Sequence, residues 1–183
     1  AQSMALSRVQ LVLSPVGTLF PVQGYHTSIL IGKTEYVFGA KGVLRADGPQ
    51  SHKALGYEDR EYIDFGNRFV DVPSFESTLF PLFRAGTYDL LRKNCNSFSD
   101  AAVYFLTGHR LDRKYRQLEA FAQAADRYML VRAVTGGMYM PNPKADKFDI
   151  EMVVQGLAYT GLPHLPLLKL PPDSLQTILA ASC

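Results

Sequence analysis

Hydrophobic residues recur with two periods along the chain, and the period changes near its middle. Val9-Gln10-Leu11-Val12-Leu13 is rich in β-formers, and Pro15 and Gly17 end the run. Thr27-Ser28-Ile29-Leu30-Ile31 and Glu35-Tyr36-Val37-Phe38 flank Gly32-Lys33-Thr34, the pattern of a β-hairpin. Glu61-Tyr62-Ile63-Asp64-Phe65 and Arg68-Phe69-Val70-Asp71-Val72 alternate, and Gly66-Asn67 between them predicts another turn. From Pro73 to Phe83 the spacing becomes helical, with Phe75, Leu79 and Leu82 or Phe83 on one face. Thr87-Tyr88-Asp89-Leu90-Leu91 reads as another short strand or extended run.

Asn94 is a good N-cap for a helix whose stripe is Phe98, Ala101, Ala102, Phe105 and Leu106, and Gly108 is its stop. Tyr115 to Val134 is again helical in spacing, and Gly136-Gly137, Pro141 and Pro143 mark a loop. Asp149 to Tyr159 predicts a further helix, and Asp173 can cap a last one through Leu179. Strands first and helices later predict an α+β fold, an antiparallel sheet packed against helices.

Composition narrows the class. The 183 residues are 47% hydrophobic and 20% charged, which excludes a disordered chain, a collagen-like fibre and a coiled coil. A net charge of +2 gives no case for a nucleic-acid partner. The uncharged stretches Val9–Gly32 and Met152–Leu168 are broken by prolines and glycines, so neither predicts a membrane span. Two cysteines make no disulfide framework and suit a reducing compartment, so the expectation is a cytoplasmic protein, with the nucleus as a second compartment. Ala1-Gln2-Ser3 before Met4 reads as an added remnant, and no signal peptide is recognised after it.

Cys183 ends the chain and is given no role. Cys95 lies in Lys93-Asn94-Cys95-Asn96-Ser97-Phe98, at the predicted helix start. Unpaired N–H groups and the helix dipole there favour thiolate, the nucleophilic form. A small buried hydrophobe is the competing account of a free cysteine, and local sequence leaves the two evenly matched. A nucleophilic thiol needs a base. His109 is a helix length away from Cys95, His164 stands between prolines, and His52 lies in a Gly/Pro/Ser-rich loop that fixes no position for it. His26 begins the hairpin strand, where a rigid element can aim it into a cleft, although a structural imidazole is the commoner fate of any one histidine. The sequence has no His/Cys spacing suited to a metal, and no cofactor is expected.

Two segments taken together resemble a known family. Gly24-Tyr25-His26-Thr27-Ser28-Ile29 with Glu35-Tyr36-Val37-Phe38-Gly39 and Gly42-Val43 is similar to the first block of the PPPDE family, the desumoylating isopeptidases. Phe83-Arg84-Ala85-Gly86-Thr87-Tyr88-Asp89-Leu90, Asn94-Cys95-Asn96-Ser97-Phe98-Ser99 and Phe105-Leu106-Thr107-Gly108 resemble its second block. The chain differs in the direct contact of Gly24 with Tyr25 and in lacking a proline after Gly108.

The resemblance implies a circularly permuted papain-like fold and a thiol isopeptidase that takes SUMO or ubiquitin off lysines. It implies a Cys95–His26 dyad, with ubiquitin-like modifier conjugates and a second copy of the chain as partners. Residues 5–112 would form the catalytic core, residues 1–4 the remnant, and residues 113–183 a helical extension packed on the core. Gln23, Tyr25, Asn94 and Asn96 are the candidates for the oxyanion site and substrate groove. Two other readings share some of these features. One is a lipid-directed thiol acyltransferase or phospholipase of the lecithin:retinol acyltransferase type. The other is a modifier-binding module without catalysis. The run Arg110, Arg113, Lys114, Arg116 reads as a solvated face.

Overall fold

A computed structural model describes residues 4–19, 22–126 and 139–159. The elements are β1 (Ala5–Leu19), β2 (Val22–Ile31), β3 (Thr34–Gly39), β4 (Gly42–Asp47), α1 (Gln50–Ala54), β5 (Glu61–Val70), α2 (Val72–Leu79), α3 (Cys95–Thr107), α4 (Gln117–Asp126) and α5 (Ile150–Tyr159). The strands form one antiparallel sheet in the order β4-β3-β2-β1-β5. The α+β reading and the hairpin around Gly32-Lys33 agree with this architecture.

Cross-strand partners share a face of a sheet, and neighbours along a strand alternate between faces. Leu11 pairs with Ile29 and Ile29 with Tyr36, and this face carries the core against α2, α3 and α5. Val9, Leu13, Phe75, Phe98, Ala102, Phe105, Val153 and Leu157 belong to that same core. Ser14 pairs with His26, Val12 with Ser28 and Leu30 with Glu35, which puts a polar set on the opposite face. α1 covers that set, so Ser14, Ser28, Glu35 and His52 are all buried.

Several expectations are corrected. β1 continues past Pro15 through a bulge between Pro15 and Gly17, where it pairs with β2 alone, so the missing proline N–H costs no ladder bond to β5. Gly66 makes no turn: residues 61–70 are one strand, because Arg8 pairs with Asn67 and Gln10 with Asp64, leaving one extra residue on β5. Gly66 takes φ +79° in that bulge, a conformation open to glycine. Thr87 to Leu91 is not a strand; it holds only an isolated bridge between Asp89 and Lys93. The predicted loop around His52 contains β4 and α1. The helix from Pro73 ends at Leu79 and passes into a short 3-10 turn at Phe80–Leu82 that takes up Pro81. The predicted helix from Tyr115 is a 3-10 turn, Arg113–Arg116, followed by α4; its end at residues 127–134, the Gly136-Gly137 turn and the Asp173 helix lie outside the described residues.

Candidate active site

Local sequence builds the start of α3. The Asn94 side chain accepts from the Ser97 N–H at 3.0 Å, and Ser97 Oγ accepts from the Asn94 N–H, a reciprocal capping box. Gly108 ends the helix in the left-handed conformation, as the sequence predicts. The Asn94 amide nitrogen donates to Leu90 O and to the Glu119 carboxylate, each at 2.8 Å. Asn96 donates to Tyr25 O at 3.0 Å and to Glu119, while its Oδ1 accepts from the Thr27 hydroxyl at 2.8 Å. Both asparagine amides are therefore engaged in tying α3 to β2 and α4.

Cys95 is the first residue of α3 and 7% exposed. Burial pushes its thiol up to about 11, and the nearby Glu119 carboxylate pushes the same way. Backbone N–H groups of Thr27, Asn96 and Cys95 itself act in the opposite direction and lose to burial. The helix start favours thiolate, but desolvation outweighs it, and the group rests as a thiol.

His26 sits on β2, half-buried, with Nε2 2.9 Å from Ser51 Oγ. Its ring lies 4.6 Å from that of His52 and 6.3 Å from that of Tyr57. Burial holds His26 below the usual imidazole range, while the charge of Glu35 pulls it back up. His52 is fully buried between Ser14 Oγ on Nδ1 (2.9 Å) and Ser28 Oγ on Nε2 (3.0 Å). Burial pushes it down to about 3, with His26 and Arg60 adding to the effect, so it is neutral at pH 7.

His26 and Cys95 line one cleft of about 300 Å³, together with Gly24, Tyr25, Tyr88 and Leu118. Among the described residues no hydrogen bond joins the sulfur to the imidazole. Gly24 supplies room rather than an unusual φ: a Cβ there would come 2.5 Å from Leu118 Cδ2 and 3.3 Å from Gly17 O. Gln23 is not among the lining residues, and its amide donates to Gly17 O and Gly24 O. His109 follows the far end of α3, and His164 and Cys183 lie outside the described residues.

Sequence reading missed Ser51, His52, Glu35 and Glu119 as neighbours of this cleft. The signal available for Glu35 was a carboxylate inside a hairpin strand, beside Tyr36 of the core face; nothing local marks the other three. Among the described residues, no group of three or more His, Cys, Asp or Glu is placed to hold a metal ion, and no helix is long and apolar enough to cross a membrane.

Comparison with known proteins bears on this arrangement. The family model described as "PPPDE putative peptidase domain" matches residues 5–134. Desumoylating isopeptidase 1 of Homo sapiens is 35% identical over 104 residues, covering 54% of this chain and 60% of the relative. Desumoylating isopeptidase 1 of Rattus norvegicus matches with the same identity and coverage. The chain thus spans about 60% of the length of these relatives.

Proposed function

Since the chain belongs to the PPPDE peptidase family, we propose that it is a thiol isopeptidase that removes a SUMO-type modifier from lysine side chains, with Cys95 as nucleophile and His26 as its acid–base partner. The observation that carries the reading is the placing of Cys95, at a capped helix start, and His26, on a rigid strand, along one cleft. The choice of modifier is supported by the relatives, which are desumoylating isopeptidases. A cleft lined by Gly24, Tyr25, Tyr88 and Leu118 suits a chain end made of glycines. A papain-like fold in permuted order, histidine before cysteine, is part of the same proposal.

The chemistry starts from a neutral pair. His26 takes the Cys95 proton as the sulfur attacks the carbonyl carbon of the isopeptide bond. The oxyanion is met by backbone N–H groups at the start of α3, with Cys95 N–H the natural donor. The carbon–nitrogen bond then breaks as His26 gives its proton to the leaving lysine nitrogen. A thioester remains. His26 next takes a proton from water, the hydroxyl adds to the thioester carbon, and the sulfur leaves and recovers the proton.

The test is cleavage of a SUMO–lysine conjugate together with labelling by a SUMO vinyl sulfone. The wild-type protein is expected to cleave and to label at Cys95. Cys95→Ala and His26→Ala are expected to fold and to lose turnover. Full hydrolysis by Cys95→Ala, or labelling at another residue, overturns the proposal.

A further inference from the structure

His26 presents a question that a cysteine–histidine pair leaves open, namely what fixes the imidazole and its tautomer. The residues beyond it answer in sequence. Ser51, on α1, places Oγ 2.9 Å from His26 Nε2. The same hydroxyl donates to Glu35 Oε1 at 2.6 Å, and the Ser51 backbone N–H donates to Glu35 Oε2 at 2.9 Å. Glu35 is fully buried, and each of its oxygens accepts a hydrogen bond from Ser51, with His52 Nε2 3.9 Å from Oε1.

Proton counting then fixes the roles. A serine hydroxyl has one proton, and a carboxylate has none to give. Ser51 spends its proton on Glu35, so it can only accept from His26. His26 must therefore carry its proton on Nε2 and keep its lone pair on Nδ1. We propose that Ser51 and Glu35 are positioning residues that hold His26 in the Nε2–H tautomer and support the imidazolium formed during turnover, through an imidazole–serine–carboxylate relay. This deepens the proposed function and rests on His26 being the acid–base group.

The surroundings fit the role. His52 lies beside His26 with the two rings tilted by 56°, and it is itself held by two serines, so the His26 ring has a fixed neighbour. A neutral His52 adds no positive charge against a developing imidazolium. Glu35 is the charge that favours the cationic form of His26. The other titratable groups around the cleft are Tyr25, Tyr57, Tyr88, Cys95 and Glu119. Ser51 comes from a helix of five residues that sequence periodicity does not reveal.

The experiment uses the full chain in two parallel measurements. Long-range proton–nitrogen NMR of the histidine rings reports which nitrogen of His26 holds the proton, and its pH titration reports imidazolium formation. Steady-state hydrolysis of a fluorogenic amide on the SUMO C-terminus reports kcat and KM. In the wild type His26 is expected as the Nε2–H tautomer. Ser51→Ala should mix the tautomers and lower kcat roughly tenfold to a hundredfold at little change in KM, part of the 10²–10⁴ that a positioned base contributes. Ser51→Thr keeps a hydroxyl and should recover most of that loss. Glu35→Gln should shift the His26 titration to lower pH, because a negative charge favouring the imidazolium is gone.

An Nδ1–H tautomer in the wild type overturns the relay whatever the activity. So does wild-type kcat in Ser51→Ala, or a lost kcat with an unchanged tautomer. If instead no SUMO amide is hydrolysed at all, the functional proposal fails while the NMR measurement still decides the relay.

Discussion

At the scale of single residues, the site is governed by the contest between burial and local dipoles. Cys95 has the helix start that lowers a thiol pKa, yet it is nearly closed off from water, and desolvation prevails. His26 is likewise held in its neutral form by burial. The resting cleft therefore holds a thiol and an imidazole, not an ion pair. Alkylation of free protein by iodoacetamide, followed at the Cys95 peptide by mass spectrometry, should be roughly tenfold to a hundredfold slower at neutral pH than for an ordinary cysteine. Its rate should still be climbing above about pH 9, since the thiolate forms only as pH rises toward about 11. A plateau near neutrality would reveal a preformed ion pair and contradict this account.

At the scale of elements, α3 is the organising piece, and much of it is legible in sequence. Asn94, the apolar stripe and Gly108 specify its start, its buried face and its end through local rules alone. Asn94 has a second role that the sequence does not disclose: its amide reaches Leu90 O and Glu119 on α4. The two roles separate by mutation. Asn94→Ala removes both and should cost about 1–2 kcal/mol by urea unfolding. Asn94→Ser keeps a capping oxygen and should cost less than half of that. Equal losses would mean that the tie to α4, not the cap, is what Asn94 contributes. Local rules failed where a glycine had two uses: Gly66 is a turn signal in sequence, but the pairing of β1 fixes residues 61–70 as one bulged strand.

At the scale of the whole molecule, α3 is buried nearly all round, although its sequence shows only one apolar stripe. Its polar residues find partners from distant segments. Ser99 meets Thr27 at 2.9 Å. Asp100, fully buried, accepts from Arg110 Nε and Nη2, from Arg116 Nη1 and from the Leu111 N–H. Arg110 also reaches Glu151 on α5. The basic run that reads as a solvated face is thus partly a clamp, with Arg110 and Arg116 turned onto one buried carboxylate. Asp100→Ala leaves two arginines and one backbone N–H without that acceptor. It should lower stability by about 2–4 kcal/mol, at the low end of a broken buried pair because Arg110 is about one-third exposed. Thermal or urea unfolding checks this, and a loss below about 0.5 kcal/mol would return the run to the surface role.

The sequence by itself determined what depends on neighbours within a few residues. It specified the hairpin, the capped start of α3 at Cys95, the α+β order and the two segments that resemble the PPPDE family. Only the tertiary structure decided how the sheet's polar face is filled. Strand register puts Ser14, His26, Ser28 and Glu35 on one side, and α1 closes over them with Ser51 and His52. Hydrogen bonds and desolvation act between residues far apart in the chain, and no local pattern encodes which distant side chain will supply the partner or exclude the water.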